Sequence, residues 1–333
     1  MSASGLTDKQ PVGSSEAAQP LARPGIASLV SKSDAVLLLV LIVLAVAGPM
    51  LGGFYLYVFT LAGIYAIVTI GNNLLLSHGG LLSLGQGGLV AISCYACAYS
   101  ANAGLPFIAT LIVGTAVAAV AGFIVGLPAL RLSGHYLALV TLAFAIAVGE
   151  VIVVLDTYTG GTSGIGVTQN VLSPMANFYA ILATIAIASV LQSRTLASRF
   201  GIALRLVRDS ERAAASCGIK IARYKLTAFV YSGILAGLSG AFFVSATGYV
   251  APMMFDLWLS IYLLVAVVLG GMRSPAGAVF GAALVAIVQQ IGAAYQGLSS
   301  IIFGAALLLV LYATRSNFFI SLAGRFRNRT VGQ

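Results

Sequence analysis

The chain has 333 residues, 60% of them hydrophobic and only 8% charged, with a formal net charge of +9. Soluble domains carry about 25% charged residues, so this composition excludes a chain solvated by water alone. The apolar residues form blocks close to the roughly 20 residues that cross a bilayer, and they lack the alternation of a membrane β-barrel. Lipid leaves backbone groups no outside partner, so such blocks become helices.

In chain order, residues 1–33 are polar and rich in Ser, Ala, Gly and Pro, and predict a disordered cytoplasmic tail without a cleavable signal. Ten apolar segments follow, at 35–51, 54–76, 81–101, 106–129, 135–155, 177–192, 226–247, 258–272, 275–293 and 298–314. Together they predict an all-α, polytopic membrane helix bundle over 34–315. A basic cytoplasmic tail covers 316–333.

The 17 basic residues test that count. With the N-terminus inside, Lys9, Arg23 and Lys32 lie in the tail, Arg131 in 130–134 and Arg273 in 273–274. The long inner loop, 193–225, takes Arg194, Arg199, Arg205, Arg208, Arg212, Lys220, Arg223 and Lys225. The C-terminal tail takes Arg315, Arg325, Arg327 and Arg329, which leaves none outside, whereas Asp156 and Asp256 fall in outer loops. Cytoplasmic enrichment of Lys and Arg sets orientation, so this sorting predicts ten spans with both termini cytoplasmic. The positive charge is therefore read as topology and not as nucleic-acid binding.

Within the spans, small residues pair at four-residue spacing at Gly122 and Gly126, Gly233 and Gly237, and Gly277 and Gly281. This spacing predicts close helix packing. The segment 77–88, Ser-His-Gly-Gly-Leu-Leu-Ser-Leu-Gly-Gln-Gly-Gly, makes a continuous helix costly. Two readings stand: a broken or re-entrant helix lining a pathway, or a tightly packed helix start. Glu150 is either a coupling group inside the membrane or a carboxylate reaching the outer interface. Asn72 and Asn73 either hydrogen-bond between helices or line a pathway, and the packing reading is favoured. His78 has no ligand set around it, and Cys94 and Cys97, a CxxC inside an apolar segment, read as packing residues.

The loop 193–225 is not a linker. Residues 203–217 combine good helix formers without Gly or Pro, and Gly218 stands where such a helix would end. Leu204 and Val207 point one way, and Ala214 and Ala215 offer a flat surface for a partner's groove; a basic helix lying on anionic headgroups is the rival reading.

Several blocks resemble one family, the permease subunits of ATP-driven importers for branched-chain amino acids, of the LivM type. They are Ser83-Leu-Gly-Gln-Gly-Gly88, the run from Gly126 to Phe144 (GLPALRLSGHYLALVTLAF), Thr159-Gly-Gly-Thr-Ser-Gly-Ile165, the run from Gly201 to Gly218, the run from Tyr224 to Gly237, and Val268-Leu-Gly-Gly-Met272. The resemblance implies a multi-pass subunit of the bacterial inner membrane and not an enzyme. It also implies a homologous second permease, two cytoplasmic ATPase subunits and a periplasmic substrate-binding protein. This chain would carry no cofactor or metal, with ATP and Mg held by the ATPases; it has no GxxxxGK[ST] phosphate loop of its own.

By the same resemblance, Arg205, Arg208, Glu211, Ala214 and Gly218 are expected in ATPase coupling, and Ser83, Gln86, Tyr136 and Thr141 along the substrate pathway. The family's coupling pattern has a glutamate where Arg212 stands, with Glu211 one residue early. The expected mechanism is alternating access. Urea or short amides as substrate, or an ion-coupled secondary transporter, are the alternatives.

Overall fold

The structure is a computed structural model that describes residues 32–50, 52–132, 134–167, 172–271, 274–294 and 304–305. Residues 1–31, Arg273, most of the expected segment 298–314 and the tail 316–333 lie outside the described residues.

Among the described residues, helices occupy the first nine apolar segments: α1 (Lys32–Ala47), α2 (Gly53–Asn73), α3 (Gln86–Asn102), α4 (Phe107–Gly126), α5 (His135–Val154), α7 (Pro174–Ala197), α10 (Ile221–Thr247), α11 (Leu257–Gly270) and α12 (Pro275–Ala294). Three short helices lie between them: α6 (Asp156–Thr159), α8 (Arg199–Asp209) and α9 (Glu211–Ser216). Among the described residues six helices are long and apolar enough to cross a membrane, α2, α4, α5, α7, α10 and α11 with their end turns. α3 is short for a span at 17 residues, because its N-terminus starts inside the bundle.

The helix ends follow from local chemistry. Ser173 caps α7 by accepting from Ala176 N–H, with Pro174 in the first turn, and Asp256 caps α11 by accepting from Leu259 N–H. Gly248 (φ 63°) ends α10 in the left-handed conformation that favours glycine.

α10 is the centre of the bundle and packs on α4, α2 and α3. α12 lies against α2 and α11, α7 against α2 and α1, and α5 forms an edge against α3. The small-residue pairs explain the closest crossings. A Cβ on Gly122 would lie 2.8 Å from the Phe229 carbonyl, and one on Gly233 2.6 Å from that of Ala118. On Gly281 it would lie 2.0 Å from the Ala266 carbonyl. Backbones this close leave no room for a side chain, which is how helices gain packing energy where hydrophobicity does not separate them from lipid.

Polar contacts sort the connections into two ends. At one, β1 (Ile165–Gly166) pairs antiparallel with β2 (Tyr249–Val250), and Asn102 Nδ2 donates to the Gly166 carbonyl at 3.0 Å. At the other, α8 lies against the end of α2, and Lys225 of α10 links α9 to the turn Pro128–Leu130 after α4. The described cations from Arg131 to Lys225 gather at this second end.

Candidate coupling site

α2 does not stop cleanly. Its last turn, Leu74–His78, widens into a π-turn, and the backbone from 80 to 85 is not helical. Such turns recur at functional positions. Backbone inside an apolar bundle needs protein partners; two N–H groups and one side-chain amide around the break find theirs on three different helices. Leu84 N–H donates to Thr141 Oγ1 of α5 at 2.9 Å, Gly87 N–H to Ser260 Oγ of α11 at 3.1 Å, and Gln86 Nε2 to Ser232 Oγ of α10 at 2.9 Å. Gly85 N–H reaches Ser83 Oγ at 3.4 Å, and Leu81 N–H the Leu75 carbonyl at 2.9 Å. The glycines admit the neighbours: a Cβ on Gly88 would sit 2.9 Å from Ala145 Cα, and one on Gly87 2.6 Å from Ser260 Oγ. The segment is thus both broken and tightly packed. A second network fixes the turn before it, with Gln192 Nε2 donating to Asn73 Oδ1 and Asn73 Nδ2 to Ser77 Oγ, each at 3.1 Å.

The single helix expected over 203–217 is two helices. Ser210 takes an extended conformation (φ −159°, ψ 110°) and caps α9 by accepting from Ala213 N–H, as Ser198 caps α8 by accepting from Phe200 N–H. A serine that offers its oxygen to the backbone competes with helix continuation and favours a cap. The connection is also shorter than 193–225, because α7 runs to Ala197 and α10 begins at Ile221.

Leu204, Val207 and Ala214 turn inward and are buried, so the flat alanine surface is only half available; Ala215 is exposed. Arg205 Nη2 donates to the Leu196 carbonyl at 3.1 Å, which closes the end of α7. The Arg208 guanidinium donates to the Ser77 carbonyl, and its stem lies over Gly80 (φ 63°), where a Cβ would come within 2.9 Å of Arg208 Cγ. Glu211 pairs with Lys225 at 2.7 Å, and Lys225 Nζ also donates to the Ala129 carbonyl at 3.3 Å. Gly218 (φ 75°) ends α9 in the left-handed conformation, as its position in the sequence implies. Arg212, Ala213, Ala215, Ser216, Cys217 and Gly218 remain exposed around the tip.

Of the expected pathway residues, the structure brings Ser83, Gln86 and Thr141 together around the break, all buried within the chain. Tyr136 is apart from them, 72% exposed on the first turn of α5. Glu150 is exposed one turn before the end of that helix. Between α3 and α5 lies a wholly apolar groove of about 400 Å³, lined by residues that include Ile92, Tyr95, Phe144 and Val151. Cys94 and Cys97 are buried, with thiols on the Gly240 and Thr110 carbonyls at 3.5 Å, and no cluster of metal ligands occurs among the described residues. Lys225, Ser232 and Ser260 were not legible as site residues: a lysine counted for topology and serines in apolar helices carry no local signal of the partner they meet.

Comparison with known proteins adds an independent line. A family profile described as "Branched-chain amino acid transport system / permease component" matches residues 54–311. The chain is 31% identical over 306 residues to the high-affinity branched-chain amino acid transport system permease protein LivM of Escherichia coli (strain K12), covering 82% of this chain and 72% of that one. It is equally similar, at 31% over the same shares, to the LivM protein of Salmonella typhimurium (strain LT2). A helix bundle with a short helical connection folded back onto its cation-rich end, matched along most of its length in this way, belongs to the family of permease components of branched-chain amino acid transport systems.

Proposed function

We propose that the chain forms the membrane path of an ATP-driven, binding-protein-dependent importer for branched-chain amino acids in the bacterial inner membrane. Its cation-rich end faces the cytoplasm, both termini lie there, and ten helices span the bilayer. A second permease of the same family completes the path. Two ATPases, which hold ATP and Mg, dock on the exposed tip of α8 and α9, and a periplasmic binding protein delivers substrate to the opposite end.

The observation that carries this reading is the contact of Arg208 with the α2–α3 break. It ties the connection that an ATPase would grip to a segment whose backbone is held by α5 and α11 and whose Gln86 side chain is bonded to α10. Arg205 and Ala214 seat the connection on the bundle, while Gly218 shapes its exposed tip. ATP binding moves the tip, the break and α3 follow, and the bundle alternates between outward and inward states. Substrate is moved by differential binding to these states and needs no tight site in the permease. The apolar groove between α3 and α5 suits aliphatic side chains; the break held by Ser83, Gln86 and Thr141 packs on Phe144 of its lining, and Tyr136 stands at the cytoplasmic mouth of the path.

The test is ATP hydrolysis by the complete complex in nanodiscs. Binding protein loaded with leucine stimulates hydrolysis above empty binding protein. Stimulation by urea or a short amide, and none by leucine, overturns the substrate assignment.

A further inference from the structure

Lys225 stands in the second turn of α10 with 3% of its side chain exposed, whereas its partner Glu211 is 49% exposed. Its ammonium holds two acceptors from distant parts of the chain: Glu211, the first residue of α9, at 2.7 Å, and the carbonyl of Ala129 in the turn between α4 and α5, at 3.3 Å. Ala129 is fully buried in one apolar cluster with Leu74 and Leu75 of the π-turn, Leu137 of α5, Leu204 of α8 and Phe229 of α10. The buried side chain of α9 itself is the methyl of Ala214. A methyl contact slides at little cost, but a buried ammonium does not release an acceptor freely, because the charge would be left uncompensated.

We infer that Lys225 is a positioning residue: it carries displacement of α9 into the α4–α5 turn, and Glu211 is its internal anchor, not an ATPase contact. The inference rests on the proposed function. It adds a second line of transmission beside Arg208, which reaches α2 and α3, whereas Lys225 reaches α4 and α5. Arg208 thus acts at the turn before the break and Lys225 at the turn between α4 and α5, and both move together for the path to open at one end and close at the other.

The experiment uses proteoliposomes with the complete complex and leucine-loaded binding protein, with ATP hydrolysis and radiolabelled leucine uptake read on the same vesicles. Lys225→Met leaves the ATPases bound and hydrolysing, but the ATP consumed per leucine rises by roughly 5- to 150-fold, the range of ordinary coupling energies. Lys225→Arg, which keeps a donor for both acceptors, restores most of the ratio. Glu211→Gln retains the ATPases and raises the ratio as Lys225→Met does, and the double variant is no worse than either single one.

An unchanged ratio in Lys225→Met overturns the inference. So does parallel loss of uptake, hydrolysis and assembly in both the Met and Arg variants, which would make Lys225 a support of the fold only. Loss of ATPase from the Glu211→Gln complex places Glu211 in the docking surface and overturns it as well. A wild-type complex without ATP-dependent uptake refutes the proposed function itself, and is told apart because it needs no substitution.

Discussion

Thr141→Val separates a strut of the bundle from a substrate contact. The change conserves shape but removes the hydroxyl that accepts Leu84 N–H at 2.9 Å and donates to the Ala138 carbonyl at 3.0 Å. Thr141 is fully buried, so water does not replace the lost acceptor. An orphaned buried amide costs about 1–3 kcal/mol, and at 1.4 kcal/mol per tenfold this raises the open population of the 80–85 segment by roughly 5- to 150-fold. Hydrogen–deuterium exchange at the Leu84 amide in nanodiscs reads that population directly. Protection falls by this factor in Thr141→Val and stays near wild type in Thr141→Ser, while the KM for leucine is unchanged in both. Exchange at Leu84 no faster in Thr141→Val than in wild type refutes the strut. A KM shift in both variants with unchanged exchange assigns Thr141 to substrate instead.

Gly88→Ala places a methyl 2.9 Å from Ala145 Cα and forces α3 from α5 at a cost of about 1–3 kcal/mol. Its thermal midpoint in detergent drops, whereas Gly149→Ala, where nothing lies within 4 Å, stays close to wild type. Gly233→Ala is at least as harmful, since its backbone neighbour, the Ala118 carbonyl, is closer still at 2.6 Å and can no more turn aside than Ala145 Cα. Cys217 is exposed and Cys94 and Cys97 are buried. A membrane-impermeant maleimide therefore labels Cys217 alone, in inside-out vesicles and not in right-side-out ones; labelling from the outer face contradicts the proposed orientation.

The helices were legible because lipid imposes both their length and their type, and the glycine pairs because close backbones admit nothing larger. All three pairs, from Gly122 to Gly281, sit where two helices touch. The break over 80–85 was legible as costly backbone, but not the choice between a pathway and a packed start, since that depends on Thr141, Ser232 and Ser260 arriving from other helices. The split of the connection at Ser210 carried a weak signal: serine followed directly by Glu211 is an N-cap with an acid in the first turn. Good helix formers on both sides masked it. Lys225 is the clearest loss. Its charge was counted for orientation, but its partner lies 14 residues upstream and its second acceptor is a backbone carbonyl near the end of α4, a juxtaposition only the folded bundle creates.

The central claim is that this chain moves branched-chain amino acids with ATP as the driving force. Uptake of radiolabelled leucine into proteoliposomes tests it, with the companion permease and ATPases assembled, ATP and Mg on the ATPase side, loaded binding protein on the other and no ion gradient. The account predicts accumulation that requires ATP and is unaffected by a proton ionophore. Uptake that persists without the ATPases and collapses with the proton gradient would contradict it.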